Sequence, residues 1–145
     1  MLKIIPPFWM FIFLAIAGAV SAVVSFPRFA LMPLGIALAA LGVGISFWGF
    51  GLFAREGTEI APTSETNKLL VESGPYRFTR NPMYLGLVLF SLGIAFWTGL
   101  LPFFAVPVIV FAITNWVHIP FEEEKMHRQY GALYDAYRAR VRRWI

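Results

Sequence analysis

The sequence predicts an all-α integral membrane protein with four transmembrane helices and a C-terminal amphipathic helix, folded as one domain over residues 1–145. Three observations support this fold class. The chain is 59% hydrophobic and only 14% charged, which is unusual for a soluble domain of this size. It contains four apolar stretches, against a requirement of about 20 residues for one helix that crosses a bilayer. None of its eight acidic residues lies inside those stretches.

The four predicted spans are Phe8–Phe26, Phe29–Phe53, Met83–Thr98 and Leu100–Ile119. The third is the shortest. The first is interpreted as a span and not as a secretory signal peptide, because its apolar run is long for such a peptide. Spans three and four are separated by little more than Gly99, which predicts a tight helical hairpin.

The basic residues predict the orientation of the chain. Ten of the twelve lie either between spans two and three or after span four. By the positive-inside rule we expect both termini and the loop of residues 54–82 to be cytoplasmic, in a multi-pass protein of a bacterial inner membrane. The net charge of +4 then reflects this topology and contacts with membrane lipids, not binding of nucleic acid.

Two residue types exclude other chemistries. The chain has no cysteine, so it has no disulfide framework and no thiolate nucleophile or ligand. Its two histidines, His118 and His127, are too far apart to predict a metal site. We interpret both as ordinary residues of the membrane interface.

Span two carries small residues on one helix face. Gly35, Ala39, Gly42 and Gly49 follow one another at spacings of four, three and seven. Such a stripe predicts close packing against another helix, with no role in ligand binding.

The segment before span three predicts an anion site. A tight turn at Gly74 leads to a helix start with Asn81 as N-cap and Pro82 at the first helical position. The free N–H groups of that terminus and the planar guanidinium of Arg80 could together hold a carboxylate or phosphate. In the alternative interpretation, Arg77 and Arg80 only anchor the helix at the lipid headgroups.

Two tyrosines flank this anion site. Tyr76 and Tyr84 offer flat aromatic surfaces for a base or a sulfonium. The alternative places them in the aromatic belt at the membrane interface.

The tail predicts one amphipathic helix over residues 121–141, with apolar and aromatic residues recurring every three or four positions. Glu123 falls in the middle of the aromatic face, Glu122 at its edge, and Glu124 on the opposite side. A carboxylate on a buried face requires a cation. Glu123 therefore pairs either with Arg77 or Arg80 in a structural ion pair, or with a cationic group of a ligand. In the second case Arg80 and the glutamates would together suit an amino-acid zwitterion.

These two segments resemble the isoprenylcysteine carboxyl methyltransferase and phospholipid methyltransferase family of integral membrane enzymes. The resemblance covers roughly the last 90 residues, and the order and spacing of both motifs agree with the family. It is carried by Gly57-Thr58 with Pro62, by Leu70-Val71 through Gly74-Pro75-Tyr76-Arg77 to Arg80-Asn81-Pro82-Met83-Tyr84-Leu85-Gly86, and by Glu122-Glu123, Met126, Tyr130-Gly131, Tyr134, Tyr137 and Val141.

The resemblance implies transfer of a methyl group from S-adenosylmethionine, which becomes S-adenosylhomocysteine. The implied acceptor is lipophilic or membrane-embedded: the carboxylate of an isoprenylcysteine-like compound, or a lipid amine. A carboxylate is already nucleophilic, whereas an amine must lose a proton, for which Glu122 or Glu123 is the first candidate base. Arg80 and Glu123 are the expected catalytic residues, and the expected cofactor contacts are Gly74, Tyr76, Arg80, Asn81, Pro82, Tyr84, Glu122 and Glu123.

Two positions depart from the isoprenylcysteine enzymes. Asn81 stands where those of eukaryotes carry histidine, and Arg142 stands where they carry proline. The chain is also shorter and has fewer amino-terminal spans. These departures concern the acceptor and leave the expected cofactor unchanged.

Two other function classes are compatible with the span count. One is a small four-span transporter, although coupled transport of organic cations usually requires an ionisable group within the membrane, and the predicted spans contain none. The other is a non-catalytic membrane scaffold that keeps the fold without the chemistry.

Overall fold

The computed structural model describes residues 6–55 and 70–145. The described residues contain no β-strand and only one isolated β-bridge, so the predicted all-α class is confirmed. Gly57, Thr58 and Pro62, which carry part of the family resemblance, lie outside this part of the chain. The elements are α1 (Pro6–Val23), α2 (Met32–Arg55), a 3-10 turn (Gly74–Arg77), α3 (Pro82–Thr98), α4 (Leu101–Ile113), a π-helical turn (Thr114–His118), α5 (Ile119–Tyr130) and α6 (Ala132–Arg140).

Three helical stretches of the described chain are long and apolar enough to cross a membrane. They are Pro6–Val23, Met32–Leu52 and Leu101–Tyr130. Helix α3 is apolar but has 17 residues, so the third predicted span, and with it the count of four, stays a prediction. Only 17% of the first two stretches is buried within the protein, which leaves most of their apolar side chains facing outward, as lipid contact requires.

Helices α2 and α3 pack with their backbones in contact at glycines. A Cβ atom added to Gly42 would lie 2.5 Å from the carbonyl oxygen of Gly86, and one added to Gly35 would lie 2.7 Å from that of Gly93. These distances are shorter than any real Cβ contact, so only glycine fits. The predicted packing face of span two is therefore confirmed.

The turn between α1 and α2 pairs with the turn between α3 and α4. Arg28 and Leu100 form an antiparallel bridge, and the Phe29 N–H donates to the carbonyl of Gly99 at 2.8 Å. The Arg28 side chain donates through Nε to the carbonyl of Thr98 at 3.0 Å. These contacts join the two turns at the end of α2 and α3 that lies away from Gly74 and Pro82.

The tail differs from the single helix predicted over residues 121–141. Helix α5 continues the helical run that begins at Leu101, and it ends at Tyr130. Gly131 has φ +52, a conformation that interrupts an α-helix and that glycine adopts without steric cost. Helix α6 then ends at Arg140, and Val141 is extended. Apolar residues recur on both sides of Gly131, so the sequence pattern does not reveal this break. The amphipathic character of the tail stays a prediction.

Candidate functional site

The loop before α3 is folded against α2. Gly74 has φ +58, and a Cβ atom there would lie 3.1 Å from Nε1 of Trp48. Glycine is therefore required by both the backbone conformation and the close packing. Tyr76 is buried, with 5% of its surface exposed, and its hydroxyl lies beside Gly49 of α2. Gly74 and Tyr76 thus fix the position of the loop relative to α2.

Helix α6 holds the same loop from the other side. The Tyr137 hydroxyl donates to the backbone carbonyl of Tyr76 at 2.8 Å, and this contact is buried. Burial raises the pKa of Tyr76 and of Tyr137 above the usual value for a phenol. Both hydroxyls therefore stay protonated at neutral pH, and Tyr137 remains a donor.

We expect Tyr137→Phe to lower the free energy of unfolding by about 1–2 kcal/mol, because the buried carbonyl of Tyr76 loses its donor. Thermal unfolding in detergent measures this effect. Tyr130→Phe is the comparison, since Tyr130 is only partly buried and lies outside this contact. Equal destabilisation by the two substitutions would contradict the assigned role of the hydrogen bond.

The C-terminal tail, residues 141–145, lies against the start of α3. The Arg80 N–H donates to the carbonyl of Arg142 at 2.9 Å. The carbonyl of Arg143 accepts from Thr79 Oγ1 at 3.0 Å and from Asn81 Nδ2 at 2.9 Å. Asn81 occupies the predicted N-cap position and Pro82 begins the helix, but the Asn81 side chain does not cap the helix. It binds the tail instead.

A second set of contacts ties the tail to the π-helical turn. Trp144 Nε1 donates to Asn115 Oδ1 at 3.0 Å. The Trp144 ring also packs on Phe111 with 4.8 Å between ring centroids. The tail therefore joins the turn before α3 to the helix that carries the two glutamates.

Glu123 lies between two arginines. Arg80 Nη2 is 3.0 Å from Glu123 Oε1. Arg143 binds both carboxylate oxygens, through Nη2 to Oε2 at 2.6 Å and through Nε to Oε1 at 3.2 Å. The predicted pairing of Glu123 with Arg80 is present, whereas Arg143 was not predicted as a partner. The periodic pattern of the sequence does not predict that Arg143 contacts Glu123.

Arg80 keeps donors that the described residues do not use. Its side chain is 9% exposed, and its Nε and Nη1 atoms are buried without a hydrogen-bond partner in the described part of the chain. Unpaired buried donors are costly and uncommon in native proteins. Two such atoms on one guanidinium could donate to an anionic group.

Glu122 has a different partner. It accepts a hydrogen bond from the Tyr84 hydroxyl of α3, and the charge of Lys125, three residues further along α5, acts on it electrostatically. Glu124 is exposed and pairs with Arg128 at 3.9 Å. The predicted difference in burial between Glu123 and Glu124 is thus present.

His118 differs from the predicted interface residue. It is 1% exposed and ends the π-helical turn, a geometry often found at functional sites. Its ring lies 6.4 Å from that of Tyr84, measured between centroids. Its Nε2 atom has no hydrogen-bond partner within the described ranges. The shifted register of the π turn, which a sequence pattern does not reveal, carries this side chain inward.

The structure therefore brings the two predicted motifs together at one end of the helices. Arg80 meets Glu123 and Tyr84 meets Glu122, while Asn81 contacts the tail that also holds Glu123. Gly74, Tyr76 and Pro82 shape the loop and the helix start. The result is a cluster of arginines, carboxylates and a tyrosine beside an apolar helix bundle.

This fold and this site define a helical membrane protein with a polar site at one end of its bundle. The family model described as phospholipid methyltransferase matches residues 30–133, more than two thirds of the chain. The chain belongs to this family, and it is a multi-pass integral membrane protein of a methyltransferase family. No curated protein and no solved structure matches it.

Proposed function

We propose that the protein transfers the methyl group of S-adenosylmethionine to a lipophilic or membrane-embedded acceptor. The observation that carries this proposal is the guanidinium of Arg80, which has two buried donors without partners next to the carboxylate of Glu123. An amino-acid moiety carries one carboxylate and one ammonium group, which match an arginine fork and a glutamate. The membership of the chain in the phospholipid methyltransferase family supports the same reaction class.

The residues divide into groups that bind and groups that position. Arg80 would hold the cofactor carboxylate, and Glu123 with Glu122 would face its ammonium and sulfonium groups. Tyr76 and Tyr84 would line the adenosine and sulfonium. Gly74, Asn81 and Pro82 would shape the turn that brings these side chains together. With both termini cytoplasmic in a bacterial inner membrane, the cofactor would enter from the cytosol and the acceptor from the bilayer.

Methyl transfer from a sulfonium is an in-line displacement, so alignment of the two reactants supplies much of the rate. Among the two proposed acceptors, the family description favours a phospholipid amine over the carboxylate of a prenylated cysteine. An amine must lose a proton before it attacks. Glu123 already binds two arginines, whereas Glu122 accepts a hydrogen bond from the Tyr84 hydroxyl and is paired with neither of them. Glu122 is therefore the better candidate for the base.

Calorimetric titration with S-adenosylmethionine and S-adenosylhomocysteine tests cofactor binding. We expect saturable binding to the purified protein in detergent. Arg80→Ala should raise the dissociation constant about 30-fold, because it removes a charge-assisted contact worth roughly 2 kcal/mol. Arg77→Ala is the matched control, since Arg77 is an exposed arginine in the same loop, and it should bind as the wild type does.

Two outcomes would contradict the cofactor assignment. One is the absence of binding at millimolar ligand in a folded sample. The other is an equal loss of affinity in the Arg77 and Arg80 variants. Transfer of labelled methyl groups to phosphatidylethanolamine in mixed micelles, compared with an S-prenylcysteine, then identifies the acceptor class. A protein that binds the cofactor but methylates neither acceptor would contradict the proposed acceptors.

A further inference from the structure

We propose that Arg143 is a positioning residue which holds Glu123 so that two donors of Arg80 stay free for the carboxylate of the cofactor. This inference rests on the proposed function and assigns a specificity role to a tail residue that lies outside both sequence motifs. It follows from the way in which three charged side chains share their contacts.

The contacts within this triad are unequal. Arg143 binds Glu123 as a fork, with one nitrogen on each carboxylate oxygen, at 2.6 and 3.2 Å. Arg80 reaches only Oε1, through a single nitrogen at 3.0 Å. A forked pair fixes the orientation of a carboxylate more strongly than a single contact does. The orientation of the Glu123 carboxylate is therefore set mainly by Arg143, and Arg80 contacts one of its oxygens.

The charge of the triad points to an anion. Two guanidinium groups and one carboxylate give a net charge of +1 (two positive minus one negative). The buried part of that charge is on Arg80, which is 9% exposed, whereas Arg143 is 33% exposed and can be hydrated. A partly uncompensated charge on a buried guanidinium is costly. The carboxylate of the bound cofactor would compensate it.

Removal of the Arg143 side chain would change the contacts between Arg80 and Glu123. Without the competing fork, the Glu123 carboxylate could rotate and accept a forked pair from Arg80, since forked pairing is the preferred geometry of arginine and carboxylate. Arg80 would then be neutralised within the protein, and the net charge of the pair would be zero. The cofactor carboxylate would lose its partner although every predicted site residue is still present.

The backbone of the tail keeps Arg143 in place. Its carbonyl accepts from Thr79 and Asn81, and the next residue, Trp144, is bound to Asn115. These contacts use backbone atoms or a neighbouring side chain, so they do not depend on the Arg143 side chain. The guanidinium itself makes the fork to Glu123 and a longer contact from Nη1 to Asn115 Oδ1, at 3.4 Å. The substitution therefore removes those side-chain contacts and keeps the backbone attachment of the tail.

The test compares S-adenosylhomocysteine with its decarboxylated analogue, which keeps the adenosine, the thioether and the ammonium group. For each variant the readout is the ratio of the two dissociation constants, measured by competition against labelled S-adenosylhomocysteine. Arg143→Gln should reduce the preference for the carboxylate-bearing ligand about tenfold. Arg142→Gln is the control, because it removes the same charge from the neighbouring, exposed arginine, and it should keep the wild-type ratio.

A double variant tests whether Arg143 acts through Glu123. With Glu123→Gln in place, the amide carries no charge that could neutralise Arg80, so adding Arg143→Gln should change the ratio by less than about twofold. A tenfold change in that background as well would overturn the role through Glu123. An unchanged ratio in the Arg143→Gln variant, or an equal loss for both ligands, would overturn the proposal as a whole.

The proposed function can fail separately. A folded wild-type protein that binds neither ligand refutes cofactor binding and, with it, the role of Arg143. If the wild-type protein prefers S-adenosylhomocysteine to the decarboxylated analogue and the Arg143→Gln variant keeps the same preference, only the role of Arg143 is refuted.

Discussion

Gly42→Ala should destabilise the protein by about 3 kcal/mol and lower its thermal unfolding temperature in detergent. The added methyl carbon would lie 2.5 Å from the Gly86 carbonyl oxygen and 2.6 Å from the Phe90 backbone nitrogen. Backbone atoms of a helix cannot turn away as a side-chain end can, so α2 and α3 must separate. Overpacking of this kind costs about 1–3 kcal/mol and occasionally more. A backbone contact places Gly42 at the upper end of that range.

Gly44→Ala provides the matched control on the same helix. A Cβ atom at Gly44 would meet nothing within 4 Å, and alanine is a better helix former than glycine by up to about 1 kcal/mol. We expect this variant to unfold at the wild-type temperature or slightly above it. If the two variants unfold at the same temperature, the backbone contact between α2 and α3 does not contribute as the structure indicates.

The effect of Gly42→Ala should extend to function. Trp48 of α2 packs against Gly74, and the loop that carries Arg80 leads directly into α3. A shift between the two helices therefore changes the site at their common end. Cofactor affinity should fall in this variant even below its unfolding temperature, while Gly44→Ala should bind as the wild type does.

Glu122→Gln should reduce turnover of a lipid amine about 1000-fold, within the range of 10²–10⁴ that general-base catalysis contributes. The amide oxygen can still accept from the Tyr84 hydroxyl, so the local structure should be kept. Cofactor affinity should fall far less than turnover. Because the amine must then lose its proton without the carboxylate, the rate of the variant should rise as the pH approaches the pKa of the amine. Turnover of a carboxylate acceptor would not depend on this proton.

The control for this substitution is Glu124→Gln. Glu124 is 61% exposed and lies in the same helix turn, so its replacement changes the charge without touching the site. It should keep wild-type turnover. If the Glu122→Gln variant methylates a lipid amine at the wild-type rate, Glu122 is excluded as the base. The next candidate would then be His118, which lies one helical turn away and whose Nε2 has no hydrogen-bond partner among the described residues.

The parts of the fold that sequence predicted depend on local chemistry. Asn81 and Pro82 mark the start of α3 because the N-cap and first helical positions have strong residue preferences. The glycines of α2 indicated close packing because their spacing places them on one face. Glu123 was placed on the buried side of its helix by the repeat of apolar residues. Each of these signals lies within a few turns of the chain.

The parts that sequence did not predict depend on contacts between distant residues or on a local change of register. Arg143 reaches Glu123 only because the chain leaves the helix at Val141 and runs back across the site. His118 is buried by a π-helical turn. The extra residue of such a turn cannot be recognised in the pattern of apolar residues at every third or fourth position. Gly131 was a visible signal for a helix end, but the apolar repeat continues on both sides of it.

The two paired turns have a consequence for how a substrate from the bilayer could enter. The backbone contacts among Arg28, Phe29, Gly99 and Leu100 connect one helical hairpin to the other at the end away from the site. At the opposite end, the described contacts between the loop, α6 and the tail are mainly side-chain hydrogen bonds and ion pairs. The two hairpins are thus joined by backbone hydrogen bonds at one end, whereas side chains hold much of the polar site at the other. A substrate from the bilayer is therefore expected to reach Arg80 and Glu122 where side chains can rearrange, and not between the two joined turns.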